Sequence, residues 1–203
     1  MVRKKKNVLY DFSSIAMDKV LFYQQHEIGL PFILHLKAPS SEERFLDDHR
    51  HYTKSNINVC YAAPRTPNRP RNWYETQLTV SKTVRNQKGY PYKGVPFYVV
   101  TDDGKGFMAH TTSQNNKQFA AVGDELILGK WIKGRLVEEG LVLPVEDTSL
   151  DSDRFGMITA EMLNEYGCNA IVFQQTDQRI IDPDDSEISY EVWTLKMIRI
   201  DEE

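Results

Sequence analysis

No stretch of this sequence approaches the roughly 18 consecutive apolar residues that a helix needs to cross a bilayer, so a helical membrane span is excluded. Cysteine is nearly missing. Cys60 and Cys168 are the only two, and their spacing is no disulfide framework of the kind that staples small secreted domains. Both read as ordinary reduced thiols. The Gly-x-Ser-x-Gly elbow, the Walker phosphate loop and the Gly-x-Gly-x-x-Gly turn are all lacking. No common hydrolase, nucleotide or dinucleotide site is therefore announced by a motif. There is no internal repeat and no low-complexity tract. No secretion leader is expected either. The start, Met1-Val-Arg-Lys-Lys-Lys-Asn, is basic, but residues 8–12 are too short for its apolar region. The expectation is a cytoplasmic protein without membrane contact.

What is present is a chain of 203 residues, 40% apolar and 27% charged. That is enough for one domain with a real core, or one domain with an appendage. The net charge of −4 conceals an uneven distribution. Residues 61–100 hold seven Lys or Arg against one acid, whereas residues 141–203 hold four against fifteen. Such asymmetry points to a local basic face for a polyanion. A mixed, solvated surface is the bland alternative. The acidic section would limit non-specific sticking.

The first fifty-odd residues read as helical. Ser13 and Ser14 precede an apolar-periodic run from Ile15, with Gly29 and Pro31 as stops. Ser40 with Glu43 has capping-box spacing and predicts a second helix fading near Tyr52. The pattern then changes. Residues 56–61 read as a strand, and residues 73–80 alternate with strand period. Residues 97–101 and 106–110 read as a hairpin around Asp102-Asp103-Gly104. Asp124 is the expected cap of a helix bearing Leu128, Trp131, Ile132, Arg135 and Leu136, ending at Gly140. Thr159 caps a short helix stopped by Gly167. Residues 170–173 and 190–200 are strands, with a turn at residues 182–186. Short strands at steady spacing predict a barrel or sandwich.

Two polar loops could carry chemistry. The first holds Arg65, Thr66, Asn68, Arg69, Arg71 and Asn72 among stiffening prolines. The guanidinium fork matches phosphate oxygens or the O6/N7 edge of guanine. The second holds His110, Thr112, Ser113, Gln114, Asn115, Asn116, Lys117 and Gln118. Its amides match the N6/N7 edge of adenine, and its hydroxyls and lysine suit phosphates. Either loop by itself is commonly just a solvated loop.

Nuclease chemistry is the rival reading. His35-Leu-Lys37 with Glu42 nearly spells the His-x-Lys-x4-Asp half-site of phospholipase-D-type nucleases. Glu stands where Asp belongs, and no second copy exists. Asp102 and Asp103 sit in a glycine turn, where a structural role is the better reading. His49, His51 and Cys60 lack a fourth ligand and regular zinc spacing. No metal or cofactor is expected.

From Tyr74 onward the chain resembles the B3-type DNA-binding pseudobarrel. The branch it resembles most is the C-terminal target-recognition domain of phospholipase-D-type restriction endonucleases. The matching stretches lie at residues 73–82, Gly89-Tyr-Pro91, residues 97–104, Asn115-Asn116-Lys117, residues 127–136 and residues 158–167. The resemblance implies a mainly β (α+β) fold: a seven-stranded open pseudobarrel with two short helices over residues 56–203. Residues 1–55 would be a helical segment of unknown role. It also implies two loop arms gripping the major groove of double-stranded DNA. The N-arm falls on residues 65–72 and the C-arm on residues 110–118, the two loops already singled out. The nuclease domain that accompanies this module in restriction enzymes has no counterpart here. The expected function is sequence-specific DNA binding within a restriction or defence system, with any nuclease on another domain or subunit. A compact endonuclease using the N-terminal segment and a protein-interaction adaptor stay open as rivals.

Overall fold

The computed structural model describes residues 8–45, 55–62 and 69–201. Its strands are β1 (Ser13–Ser14), β2 (Phe32–His35), β3 (Leu78–Thr79), β4 (Phe97–Thr101), β5 (Lys105–Thr112), β6 (Gln118–Ala121), β7 (Ala170–Asp182) and β8 (Asp185–Ile198). Its helices are α1 (Met17–Gln25), the single turn α2 (Lys82–Arg85), α3 (Ile127–Glu138) and α4 (Ala160–Tyr166). The sheet runs β2-β7-β8-β4-β5-β6-β3, with β1 pairing β5. β4 is antiparallel to β5 but parallel to β8, so the sheet is mixed. This is the mainly β, pseudobarrel class expected, with α3 and α4 as its two helices. Two of the eight strands, β1 and β2, lie in the segment expected to be helical. Among its described residues only α1 forms a regular helix.

The chain divides into two compact units. The first comprises Met1–Ile33, Val80–Asp124 and Ile171–Met197. Its centre is β4, whose five residues are all buried. An uninterrupted apolar strand is what burial on both faces demands. Alternation sorts its side chains. Tyr98 and Val100 join a cluster with Leu9, Val20, Met108 and Val192. Phe97 points to the other face, where its ring lies 5.3 Å from that of Trp193. Phe32, Phe173 and Phe119 continue this aromatic layer, at 5.0 Å between Phe32 and Phe173 and 5.3 Å between Phe119 and Phe173. These spacings lie in the favourable range for aromatic pairs. The turn between β4 and β5 needs Gly104, whose φ is 79°. A side chain there would also collide with the Ile15 carbonyl, 2.8 Å away.

The second unit comprises Leu34–Thr79, Glu125–Ala170 and Ile198–Glu203. α3 buries Leu128, Trp131, Ile132 and Leu136, as the helical spacing requires. Thr159 caps α4 through its hydroxyl, and Gly167 ends it at φ 80°.

Several expectations are corrected. Residues 56–61 form no strand; they end in a 3-10 turn, Val59–Tyr61. Here asparagine side chains replace a backbone ladder. The Asn56 amide accepts from Lys37 N at 2.8 Å and donates to His35 O at 2.9 Å. Asn58, fully buried, does the same for Ile158 N and O, at 3.0 and 2.7 Å. The alternating stretch 73–80 yields only the two residues of β3. Asn72 breaks it, accepting Tyr74 N on its side chain and Glu75 N on its carbonyl, both at 2.9 Å. That is an Asx-type turn. Ser40 and Glu43 do cap each other reciprocally, at 2.9 and 3.1 Å, but over one 3-10 turn, Glu43–Phe45. Residues 46–52 of the helix expected there lie outside the described residues. α3 begins at Ile127 with Leu126, not Asp124, in the cap position. β7 and β8 run well beyond the apolar cores expected, because their outer halves are polar and carry no clear alternation.

Candidate nucleic-acid interface

The C-arm belongs to the first unit and is the hairpin between β5 and β6. Its register pairs His110 with Ala120 and Thr112 with Gln118. Five residues, 113–117, cross between the strands. Asn115 and Asn116 adopt left-handed backbone, at φ 57° and 56°. Asparagine tolerates this better than other side-chain-bearing residues, which accounts for the Asn-Asn pair. Ser113 stands at φ 65° and ψ −179°, a region almost reserved for glycine. Such strain costs about 1–3 kcal/mol and concentrates at functional sites.

The side chains of this hairpin divide into two sets. Gln114, Asn115 and Lys117 are exposed at its tip. Asn116 instead turns inward, and its Nδ2 donates to the Pro91 carbonyl at 2.7 Å. The Tyr90 hydroxyl donates to Asn116 O at 3.2 Å, and Thr111 Oγ1 donates to Pro91 O, also at 3.2 Å. Gly94 N reaches Thr111 O at 2.8 Å, and Val80 N reaches Lys117 O at 2.7 Å. The Tyr90 ring meets Phe32 and Phe173 at 5.6 and 6.0 Å. The arm is thus fastened through Tyr90 to the aromatic layer. His110, Thr112, Ser113 and Gln118 are half-buried. Burial holds the His110 imidazole below its ordinary pKa. Ser113 Oγ and Asn116 Oδ1 are buried with no hydrogen-bond partner among the described residues.

The N-arm belongs to the second unit. Arg65, Thr66 and Asn68 lie outside the described residues. Arg69 is exposed. Arg71 is engaged, its Nη1 lying 2.5 Å from Glu75 Oε1. Asn72 opens the turn described above. The base of the arm is rigid. Trp73 is buried and its Nε1 donates to Gly156 O at 2.8 Å. Lys133, fully buried, donates to the Trp73 carbonyl, and its ammonium lies 4.9 Å from the Trp73 ring. Burial lowers its pKa. Tyr74 packs its backbone on Gly129 so closely that a Cβ there would stand 1.6 Å from Tyr74 O.

Exposed amides and cations on a braced hairpin can form hydrogen bonds to base edges and to phosphates. Tyr90, Pro91 and Thr111 escaped the sequence reading as positioning residues. Their signal was the Gly89-Tyr-Pro91 stretch, which composition alone would pass over.

The nuclease candidates resolve differently. His35 and Lys37 are exposed, and the backbone around them is held by Asn56. Asp102 Oδ2 accepts from Met197 N at 3.1 Å, and Asp103 Oδ1 accepts from Thr101 Oγ1 at 2.5 Å. Both carboxylates therefore shape the turn. His49 and His51 lie outside the described residues. Cys60 and Cys168 are buried free thiols. Among the described residues no group of three or more His, Cys, Asp or Glu could hold a metal ion, and no helix is long and apolar enough to cross a membrane.

Comparison with curated proteins finds no match. Comparison with protein families finds one over residues 23–166, which takes in the C-arm, the N-arm and both principal helices. The chain belongs to the family of the NgoFVII C-terminal B3-like DNA-binding domain.

Proposed function

We propose that this chain reads a specific sequence in double-stranded DNA through its two arms in the major groove, as the target-recognition part of a restriction or defence system. The observation that carries this reading is the division of labour within the C-arm. Asn116 faces inward and locks the hairpin to Pro91, while Gln114, Asn115 and Lys117 stay free to meet a ligand. A braced hairpin with exposed amides loses little entropy on binding. Amides of Asn and Gln form paired hydrogen bonds to adenine, and Lys meets guanine or phosphate. In the N-arm, Arg69 is the described cation free of an ion pair. Cleavage, where it occurs, is assigned to another domain or subunit.

Selection of bound duplexes from a randomised library tests the reading. The expected outcome is recovery of one short consensus. Gln114→Ala and Arg69→Ala should each weaken its binding by about 1–3 kcal/mol. Equal recovery of all sequences would refute specific reading and favour the adaptor. Specific plasmid cutting, assayed with magnesium and with EDTA, that is lost in His35→Ala would establish the endonuclease instead.

A further inference from the structure

Residues 82–93 lie outside both arms, yet they are built into the same frame as the C-arm. Ser81 caps α2, accepting Val84 N at 3.3 Å, and Gly89 at φ 90° turns the chain back. The bonds from Tyr90 to Asn116, from Asn116 and Thr111 to Pro91, and from Gly94 to Thr111 then fasten the segment to the hairpin. Two things distinguish it. First, no acid occurs between Glu75 and Asp102, nor between Asp103 and Asp124. Lys82, Arg85, Lys88, Lys93 and Lys117 therefore form a cationic field without an acid of the same segments to neutralise it. Lys82, Lys88 and Lys93 are exposed. Second, Tyr92 is 83% exposed although its neighbours Tyr90 and Pro91 are buried. Its phenol ring forgoes burial on a segment held rigid on both sides. A large, preordered aromatic on a segment that also presents exposed lysines suits the sugar–phosphate wall of a nucleic acid, which is apolar at the deoxyribose and anionic at the phosphate.

We propose that residues 82–93 form a third DNA-contacting element, sequence-independent, in which Lys82, Lys88 and Lys93 meet backbone phosphates and Tyr92 packs on an adjoining deoxyribose. The proposal rests on the DNA-reading function above but assigns affinity, not sequence choice, to this segment. It makes the C-arm and its support a single docking body: the backbone contacts set the register from which the hairpin tip reads bases.

The test uses the full chain and two duplexes, the selected consensus and a shuffled copy, with binding followed by fluorescence anisotropy across salt. Lys82→Ala/Lys88→Ala/Lys93→Ala should flatten the slope of log affinity against log salt by about 2.7. It should weaken both duplexes by one factor and leave their ratio unchanged. Tyr92→Ala should weaken both by at least about fivefold, and Tyr92→Phe should restore them, since the ring supplies the contact. All these positions are exposed, so thermal unfolding should match the parent chain. An unchanged salt slope in the triple variant overturns the proposal, and a change in duplex preference without loss of slope does so too. If the parent binds both duplexes equally and the triple variant still loses the slope, the arm reading falls and this one stands. If preference is intact but the slope is not moved, the arms stand and this element falls. Failure of the parent to bind either duplex overturns both.

Discussion

Two adjacent asparagines of the C-arm share one backbone conformation and differ in what their side chains do. Glycine replacement at each therefore separates folding from reading. Asn115 and Asn116 both sit in the left-handed region. Glycine relieves that strain by up to about 1 kcal/mol. It adds a similar amount of unfolded-chain entropy, about 0.4–1 kcal/mol. The backbone effect of either substitution should nearly cancel, to within about 0.5 kcal/mol. The side chains then decide. The Asn115 amide is exposed and forms no hydrogen bond among the described residues, so Asn115→Gly should leave stability unchanged. Asn116 loses its 2.7 Å bond to Pro91, so Asn116→Gly should cost about 0.5–1.5 kcal/mol. Binding should rank the other way in cause. Asn115→Gly should weaken the consensus duplex by about 1–3 kcal/mol, or roughly 5- to 150-fold, by removing a base contact. The shuffled duplex should hardly notice it. Asn116→Gly should weaken binding by loosening the whole arm. Urea denaturation and anisotropy on the same samples decide the matter. Full affinity and preference in Asn115→Gly would refute base reading by Asn115. Equal stability of the two variants would refute the anchoring role of Asn116.

Three further outcomes are expected. In the N-arm, Arg69→Ala should reduce DNA affinity without touching stability. Arg71→Ala should cost about 1.5–3 kcal/mol of stability, because it strips a charged hydrogen bond from buried Glu75; a stable Arg71→Ala variant contradicts the bracing role. Because burial lowers the pKa of His110 from 6.5, the unfolded chain takes up its proton first. Its contribution to stability is complete above pH 6.5 and is lost as pH falls from there to the folded pKa, and His110→Gln should abolish that loss in pH-dependent unfolding. DNA phosphates favour the imidazolium, so affinity should rise over the same acid range in the parent and stay flat in the variant. Gly129→Ala should destabilise the chain by about 3 kcal/mol or more, since the obstacle is the Tyr74 backbone and not a movable side chain; a near-normal Tm in the variant would contradict this packing.

Much of the fold could be read from the chain because it rests on local rules. The β4–β5 hairpin is announced by two apolar runs around a glycine turn, α3 by its apolar spacing, and α4 by Thr159 and Gly167 at its ends. Both arms were visible as polar loops rich in groups that bond to nucleic acid, and the basic bias of residues 61–100 was visible as plain counting. The misreadings share one cause. Residues 56–61 and 73–80 have strand-like patterns, but asparagine side chains take up backbone groups there instead: Asn58 those of Ile158, a hundred residues away, and Asn72, just before the second stretch, the N–H of Tyr74 in its own turn. Whether an asparagine amide faces solvent or replaces a ladder depends on partners a hundred residues away. The same holds for the candidate readers. Composition ranks Asn115 and Asn116 alike, and Arg69 and Arg71 alike; only the folded chain supplies Pro91 to one asparagine and Glu75 to one arginine. Sequence thus determined which residues are chemically able to meet DNA, because that is a property of the side chain. Tertiary structure decided which are already occupied, because a hydrogen bond made internally is no longer available to a ligand.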